Sequence, residues 1–308
     1  MIKKIWNNKP LIGLIIFSII VSILNPRFLS INNLLNVLRQ TSVNSVIAIG
    51  MTLVILTGGI DLSVGSILAL TGAFCASLIS MGVTPVIAII IALLMGLVFG
   101  LFNGFLISVA KLQPFIVTLV TMTLLRGATL VFTDGKPIPV RNGGDLFDNI
   151  GGGYLFNVPI PIYIMILLFV GGYYLLNHTK FGRYIYAIGG NEEATKLSGI
   201  NTAKFKTMVY GVCGLLSALA GIVVTSRLGS AQPTAGSGYE LDAIAAVVLG
   251  GTSLSGGYGR ITGTALGAVI IGVLGNALNL LDVSSYYQMM IKAAVILVAV
   301  LIDKKSHK

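Results

Sequence analysis

Runs of roughly 20 apolar residues, separated by short polar or glycine-rich connections, recur along this sequence, and that is the length an α-helix needs to cross a hydrocarbon layer about 30 Å thick. Breaks at charged residues and at Pro/Gly clusters place the runs near 11–24, 41–57, 62–80, 85–110, 114–133, 160–177, 205–226, 240–252, 261–281 and 287–302. The chain has 308 residues, 55% of them hydrophobic and 10% charged, with a mean hydropathy of +0.94. A soluble domain carries about 25% charged residues, so no water-facing surface can be built from this composition. The pattern predicts an all-α fold, a polytopic transmembrane helical bundle of about ten spans over 1–308, with no room for a separate catalytic domain. The second and eighth spans read as short, and short or Gly-interrupted segments often mark broken helices around a transport path.

Charge gives the orientation. The formal net charge is +10, and the basic residues cluster at span ends, where they report topology. Lys3, Lys4 and Lys9 precede the first span, Lys111 follows the fourth, and Lys304, Lys305 and Lys308 follow the tenth. The connection from Asn177 to Lys206 adds Lys180, Arg183, Lys196, Lys204 and Lys206. All fall on one side, which predicts that both termini and the 178–206 loop lie in the cytoplasm. The N-terminal basic and apolar segment is followed by Asn25-Pro26-Arg27 rather than a small-residue cleavage site, so it reads as a retained span. Cys75, Cys213, His178 and His307 have no paired or metal-like spacing, and no metal is expected.

The chain also resembles itself. Gly58-Gly59-Ile60-Asp61-Leu62-Ser63-Val64-Gly65 can be laid over Gly250-Gly251-Thr252-Ser253-Leu254-Ser255-Gly256-Gly257, which suggests repeat halves at 11–133 and 205–302. Whether the copies are parallel or inverted depends on whether the eighth span crosses fully.

Several polar residues invite a functional reading beside a structural one. Asn191 is a good N-cap, Glu192 and Glu193 suit a first helical turn, and Gly199 suits a helix end, so the cytoplasmic loop predicts one short exposed helix. It is either a lipid-surface connector or a docking element, and its apolar residues are too scattered for a lipid face. Asp61 reads as a cap for a helix beginning at Leu62, taking the amides of Ser63 and Val64, or as a proton-coupling carboxylate. Glu240 and Asp242 read as dipole partners at the start of the eighth span, or as gate residues. Arg126 and Lys292, inside apolar spans, either snorkel or pair with an acid from another span. Asn44 and Thr57 are the candidates to line a transport path, with Asp61, Ser63, Glu240, Asp242 and Ser253 as further path or gate positions. Gly96 to Gly100 and Gly263 to Gly267 are small-residue patterns of the kind that bring helices together.

Glu193-Ala194-Thr195 followed by Gly199 resembles the Glu-Ala-Ala-x-x-x-Gly loop by which permeases of ABC importers engage their ATPase, with Thr195 in place of the second alanine and no later Leu-Pro. A wider set of segments resembles the bacterial ribose-type sugar permease family: Gln40 to Asn44, Gly50 to Thr57, Gly59 to Ser66, Ala231 to Gly236, Gly238 to Gly251 and Ser284 to Gln288. The resemblance implies the permease subunit of an ATP-driven importer of a monosaccharide, most closely ribose. Its partners would be a second permease copy, a cytoplasmic ABC ATPase, a periplasmic sugar-binding protein and membrane lipid, with no nucleic acid. Arg183, Asn191, Glu192, Glu193, Ala194, Thr195 and Gly199 would couple to the ATPase.

Two other function classes are weighed. A self-sufficient proton- or sodium-coupled carrier predicts acids in mid-span, yet nearly all ten acids sit at span ends. A membrane enzyme predicts a cluster of ligands or a nucleophile with its base, and none is present in the sequence. Nor is there a Gly-x-x-x-x-Gly-Lys-Ser/Thr phosphate loop. The chain is therefore expected to be no enzyme and to hold no cofactor, with ATP and Mg bound by the partner ATPase.

Overall fold

The computed structural model describes residues 9–306 and is a bundle of α-helices with two small two-stranded ribbons. Helix α1 (Lys9–Leu24) and a single 3-10 turn (Pro26–Leu29) lead into α2 (Ile31–Leu56), α3 (Val64–Ser80), α4 (Pro85–Ser108) and α5 (Pro114–Thr133). Helix α6 (Gly144–Gly152) lies in the connection to α7 (Ile160–His178). Two short helices follow, α8 (Lys180–Gly190) and α9 (Glu192–Leu197), and then α10 (Thr202–Leu228), α11 (Tyr239–Leu249), α12 (Ile261–Leu280) and α13 (Ser285–Ser306). Among the described residues six helices (α2, α4, α5, α7, α10 and α12) are long and apolar enough to cross a membrane, and Ile15–Leu24, Val64–Ser80 and Ser285–Val298 are shorter apolar helices.

Two helices form the centre. The most apolar stretches of α2 and α10 are 78% and 72% buried, against 22% for α4 and 28% for α5 and α7. The outer helices expose Val86, Leu94, Phe102, Leu124 and Leu167, a surface that only lipid or another apolar chain can cover without cost.

Glycine sets the close approaches. On α4, Gly96, Gly100 and Gly104 lie one turn apart and meet Gly214, Tyr210 and Thr207 of α10, so α4 runs against α10 with backbones nearly touching. On α12, Gly263 and Gly267 meet Gly250 and Ala246 at the end of α11 in the same manner. Helix α12 also runs against α2: the Thr52 and Thr264 hydroxyls share a hydrogen bond of 2.8 Å, Gly272 packs on Thr41, and the Asn33 and Asn276 side chains exchange bonds of 3.0 and 2.9 Å. Helix α3 runs along α10, with Gly221 against Leu68 and Gly72 against Thr225. Thus α3 and α4 lean on α10, while α11 and α12 lean on α2.

Hydropathy located most helices well, and α5 carries the expected bounds. The second span differs. It is no short or broken helix: α2 begins at Ile31, where the Ser30 hydroxyl accepts the amide of Asn33. The eighth is short as expected, with 11 residues in α11. It is preceded by segment 229–238, a two-residue strand followed by turns, which folds back so far that Gly236 meets Gly65 at the start of α3. The loop after α7 holds two helices rather than one, because Thr179 caps α8 by accepting the Gly182 amide and Ile185 and Ile188 are buried beneath it.

Candidate functional site

The loop helix α9 is built as its sequence dictates. The Asn191 side chain accepts the Ala194 amide at 2.9 Å, Thr195 bonds back to the Asn191 carbonyl at 2.7 Å, and Gly199 leaves the helix at φ 82°. Glu192 forms an ion pair with Lys206 of α10, which fixes α9 to the bundle. Arg183, Asn191, Glu192, Glu193, Ala194 and Gly199 are exposed and only Thr195 is buried. Leu197 is 89% exposed. Glu192, Glu193, Lys196 and Gly199 line one wall of a groove of about 840 Å³, whose other wall is the α4–α5 connection at Lys111 to Pro114.

Helix α8 ties this loop to the glycine-rich turns. Gly189 abuts the Leu56 carbonyl at the end of α2 and the Gly257 amide, which itself donates to Leu56 O at 3.0 Å. The Tyr186 hydroxyl donates to Gly259 O at 2.9 Å. Burial pushes the Tyr186 phenol above its usual range, with Arg260 opposing, so it stays a donor at neutral pH. Gly256 packs on Gly58 in turn. The two similar segments, 58–65 and 250–257, therefore touch each other and the loop.

Their turns share one local device. Asp61 Oδ1 accepts the amide of Ser63 at 2.9 Å, and Ser253 Oγ accepts the amide of Ser255 at 3.3 Å. Both are side chains bonding two residues onward in a turn. The expected cap on Asp61 is thus half realised: Ser63 is bound through its amide and hydroxyl, but α3 starts at Val64, so Leu62 stays in the turn and the Val64 amide is not an Asp61 partner. Ser63 continues the network to Asn103 of α4 at 2.9 Å and through it to Thr121 of α5 at 2.7 Å. Thr57 is buried at the end of α2 and bonds to its own helix at Val54 O; it does not join Asn44.

Asn44 lies elsewhere, on the floor of a polar cavity of about 480 Å³ enclosed by α2, α11, α12 and α13 with the end of α10. Asp242 Oδ2 accepts from Asn44 Nδ2 at 3.2 Å and from Lys292 Nζ at 2.8 Å, joining α11, α2 and α13 at this point. Lys292, read as snorkelling or paired, is paired. Asn36, Gln40 and Asn44 form a stripe over two turns of α2, and Asn276 and Asn279 line the same cavity from α12. Arg39, Arg227 and Gln288 complete the wall. Sequence reasoning passed over Asn36, Arg39 and Arg227 because they looked like the polar edge of a shorter span, although the i, i+4, i+8 spacing was there to be seen.

Arg126 and Glu240 flank the re-entrant segment. Arg126 Nη1 donates to Pro233 O at 2.8 Å and Ala235 O at 2.9 Å, so this intramembrane arginine holds backbone carbonyls. Glu240 Oε1 accepts the Gly238 amide at 3.3 Å, and its carboxylate packs against Gly65. No group of three or more His, Cys, Asp or Glu able to hold a metal exists among the described residues.

The sequence is similar to known proteins. Residues 33–300 match the family described as "Branched-chain amino acid transport system / permease component". The chain is 57% identical over 308 residues to Ribose import permease protein RbsC of Escherichia coli (strain K12), covering 99% of this chain and 96% of the relative. It is 61% identical over 296 residues to the protein of the same name in Bacillus subtilis (strain 168), covering 96% and 92%. It is 40% identical over 300 residues to D-allose transport system permease protein AlsC of Escherichia coli (strain K12), covering 95% and 91%. No solved structure matches the chain. A family match over 33–300 and identities of this size across almost the full length leave one conclusion: the chain belongs to this permease family.

Proposed function

We infer that this chain is the membrane-spanning permease subunit of an ATP-driven ABC importer for ribose. The observation that carries the reading is the 57–61% identity to ribose import permeases over nearly the whole chain, since allose and xylose permeases stand at 40% and 35%. The protein is a multi-pass component of the inner membrane, with ten segments and with α8, α9 and both termini in the cytoplasm. It works with a cytoplasmic ABC ATPase that binds ATP and Mg, a periplasmic sugar-binding protein and a second permease copy, within the lipid bilayer. The halves 11–133 and 205–302 are repeated copies. Supporting this is the packing of the similar segments 58–65 and 250–257 on each other through Gly58 and Gly256.

The mechanism is alternating access. The ATPase docks in the groove beside Glu193 and Gly199 and moves α9, which Glu192 links to α10. Helix α8 passes the movement through Gly189 and Tyr186 to the turns at 57–63 and 250–260. Those turns carry α3 and α11, and with them Asp61, Ser63, Ser253, Glu240 and Asp242. The polar cavity at Asn44 lies on the path, toward the side opposite the loop.

Reconstitution of the full complex in proteoliposomes tests the reading. Ribose uptake should require ATP, the ATPase and the sugar-binding protein. Changing Glu193 and Gly199 together should abolish co-purification of the ATPase while the permease still inserts. Wild-type uptake that persists without the ATPase would overturn it.

A further inference from the structure

The cavity beneath Arg39 holds more hydrogen-bonding capacity than the protein itself uses. Thr41 is 3% exposed and its Oγ1 has no partner, while Asn44 and Arg39 are half-buried residues whose Oδ1 and Nε atoms are buried and also without a partner. All three residues line the cavity. A buried polar atom left without a partner costs about 1–3 kcal/mol, so three in the wall of a single cavity describe a surface completed by something polar. Asp242 accepts both of its bonds on Oδ2, which leaves Oδ1 unoccupied by the protein. Acceptors at Asn44 and Asp242 and donors at Arg39 and Lys292 stand around one volume, with the Tyr239 ring in its wall. Vicinal hydroxyls, each both donor and acceptor, satisfy such a mixed set. A simple anion uses only the donors and meets the Asp242 carboxylate.

We propose that this cavity is a saturable binding station for a neutral polyol, a sugar held by the permease itself between its arrival from the carrier protein and its release. The proposal rests on the ribose-importer reading and deepens it, because that reading requires only a path and no site. The station is weak by design of its parts. Its hydrogen bonds replace those the sugar makes to water, each worth about 1 kcal/mol net, and a conducting site must let its cargo leave.

The test uses the full-length permease in lipid nanodiscs without its carrier, with ribose as the probe and saturation-transfer NMR as the readout, beside ATP-dependent uptake by the reconstituted complex. Ribose should bind saturably. Asn44→Ala should weaken binding about tenfold, as expected for one lost hydrogen bond to a polar or charged network. Thr41→Val keeps the side-chain shape and should weaken binding in the same direction while retaining the wild-type unfolding temperature. Thr123→Ala, on the exposed face of α5, should bind as wild type. Uptake by the wild-type complex without any saturable ribose signal would overturn the station and leave the importer reading standing. Failure of ATP-dependent uptake with saturable binding intact would strike the importer reading instead. Tighter binding of ribose 5-phosphate or sulfate than of ribose would overturn the neutral class of ligand.

Discussion

Replacing Gly189 with alanine should uncouple the transporter, whereas the same change at Gly190 should do nothing. Neither glycine has a positive φ, so the backbone accepts a Cβ at both and alanine favours the helix by up to about 1 kcal/mol. At Gly190 a Cβ would meet nothing within 4 Å. At Gly189 it would overlap the Leu56 carbonyl oxygen and the Gly257 amide and stand 3.0 Å from the Leu56 carbonyl carbon. These are backbone atoms and cannot rotate aside, so α8 must move away from α2. Overpacking of this kind costs about 1–3 kcal/mol, which exceeds the helical gain. A mid-range cost of about 2 kcal/mol, less up to about 1 kcal/mol of helical gain, leaves about 1 kcal/mol, roughly fivefold in the equilibrium that couples loop to turn. The movement also strains the Gly257 to Leu56 hydrogen bond of 3.0 Å. The assay is ribose-stimulated ATP hydrolysis and uptake in proteoliposomes, with permease unfolding followed in parallel. Gly189→Ala should retain the ATPase yet lose most stimulation, and Gly190→Ala should match wild type. Equal behaviour of the two variants would refute the role assigned to α8.

Removing one partner of the Asp242–Lys292 pair should matter far more than removing one of Asp134–Lys136. Asp242 is 8% exposed and Lys292 30%, against 88% and 77% for the other pair. Lys292→Gln should cost about 1–3 kcal/mol, as for a charge-assisted bond beside a wet cavity, and Lys136→Gln should leave denaturation unchanged. Asn191→Ala should loosen α9 by about 1 kcal/mol and lower ATPase affinity, while Asn191→Asp should restore it; a pull-down titration reads both. Arg126→Met should free the segment held at Pro233 and Ala235, seen as faster hydrogen exchange across 229–238 than in wild type. Tyr186→Phe should weaken coupling through loss of the bond to Gly259. Since the folded-state phenol titrates above its unfolded value, that bond is present below the unfolded pKa of about 10 and is lost only as pH rises through the raised one. Stimulation should therefore be flat across neutral pH in wild type and variant alike.

Hydropathy and capping chemistry made most helices legible, because each depends on local sequence: Asn191, Glu192 and Gly199 announce α9 within nine residues. The start of α2 was lost for a physical reason. Asn36, Arg39 and Gln40 face a cavity rather than lipid, and a polar stripe inside a crossing reads like its end. The same error hid much of the candidate site. Helix α8 escaped notice because its purpose lies in tertiary contacts with Leu56, Gly257 and Gly259. Long-range pairing was equally closed to sequence reasoning: Asp242 and Lys292 were each singled out, but nothing local joins residues 50 positions apart.

Glu240 has a consequence beyond its own helix. Helices α3 and α11 begin where Gly65 meets Gly236, and each brings the positive end of its peptide dipoles to that place. Like poles repel, and the Glu240 carboxylate lodged against Gly65 supplies a counter-charge to both, with Arg126 drawn in by the same charge. The junction therefore has one carboxylate serving two helix starts. Any separation of α3 from α11 would have to break the contacts that this carboxylate makes at both helix starts.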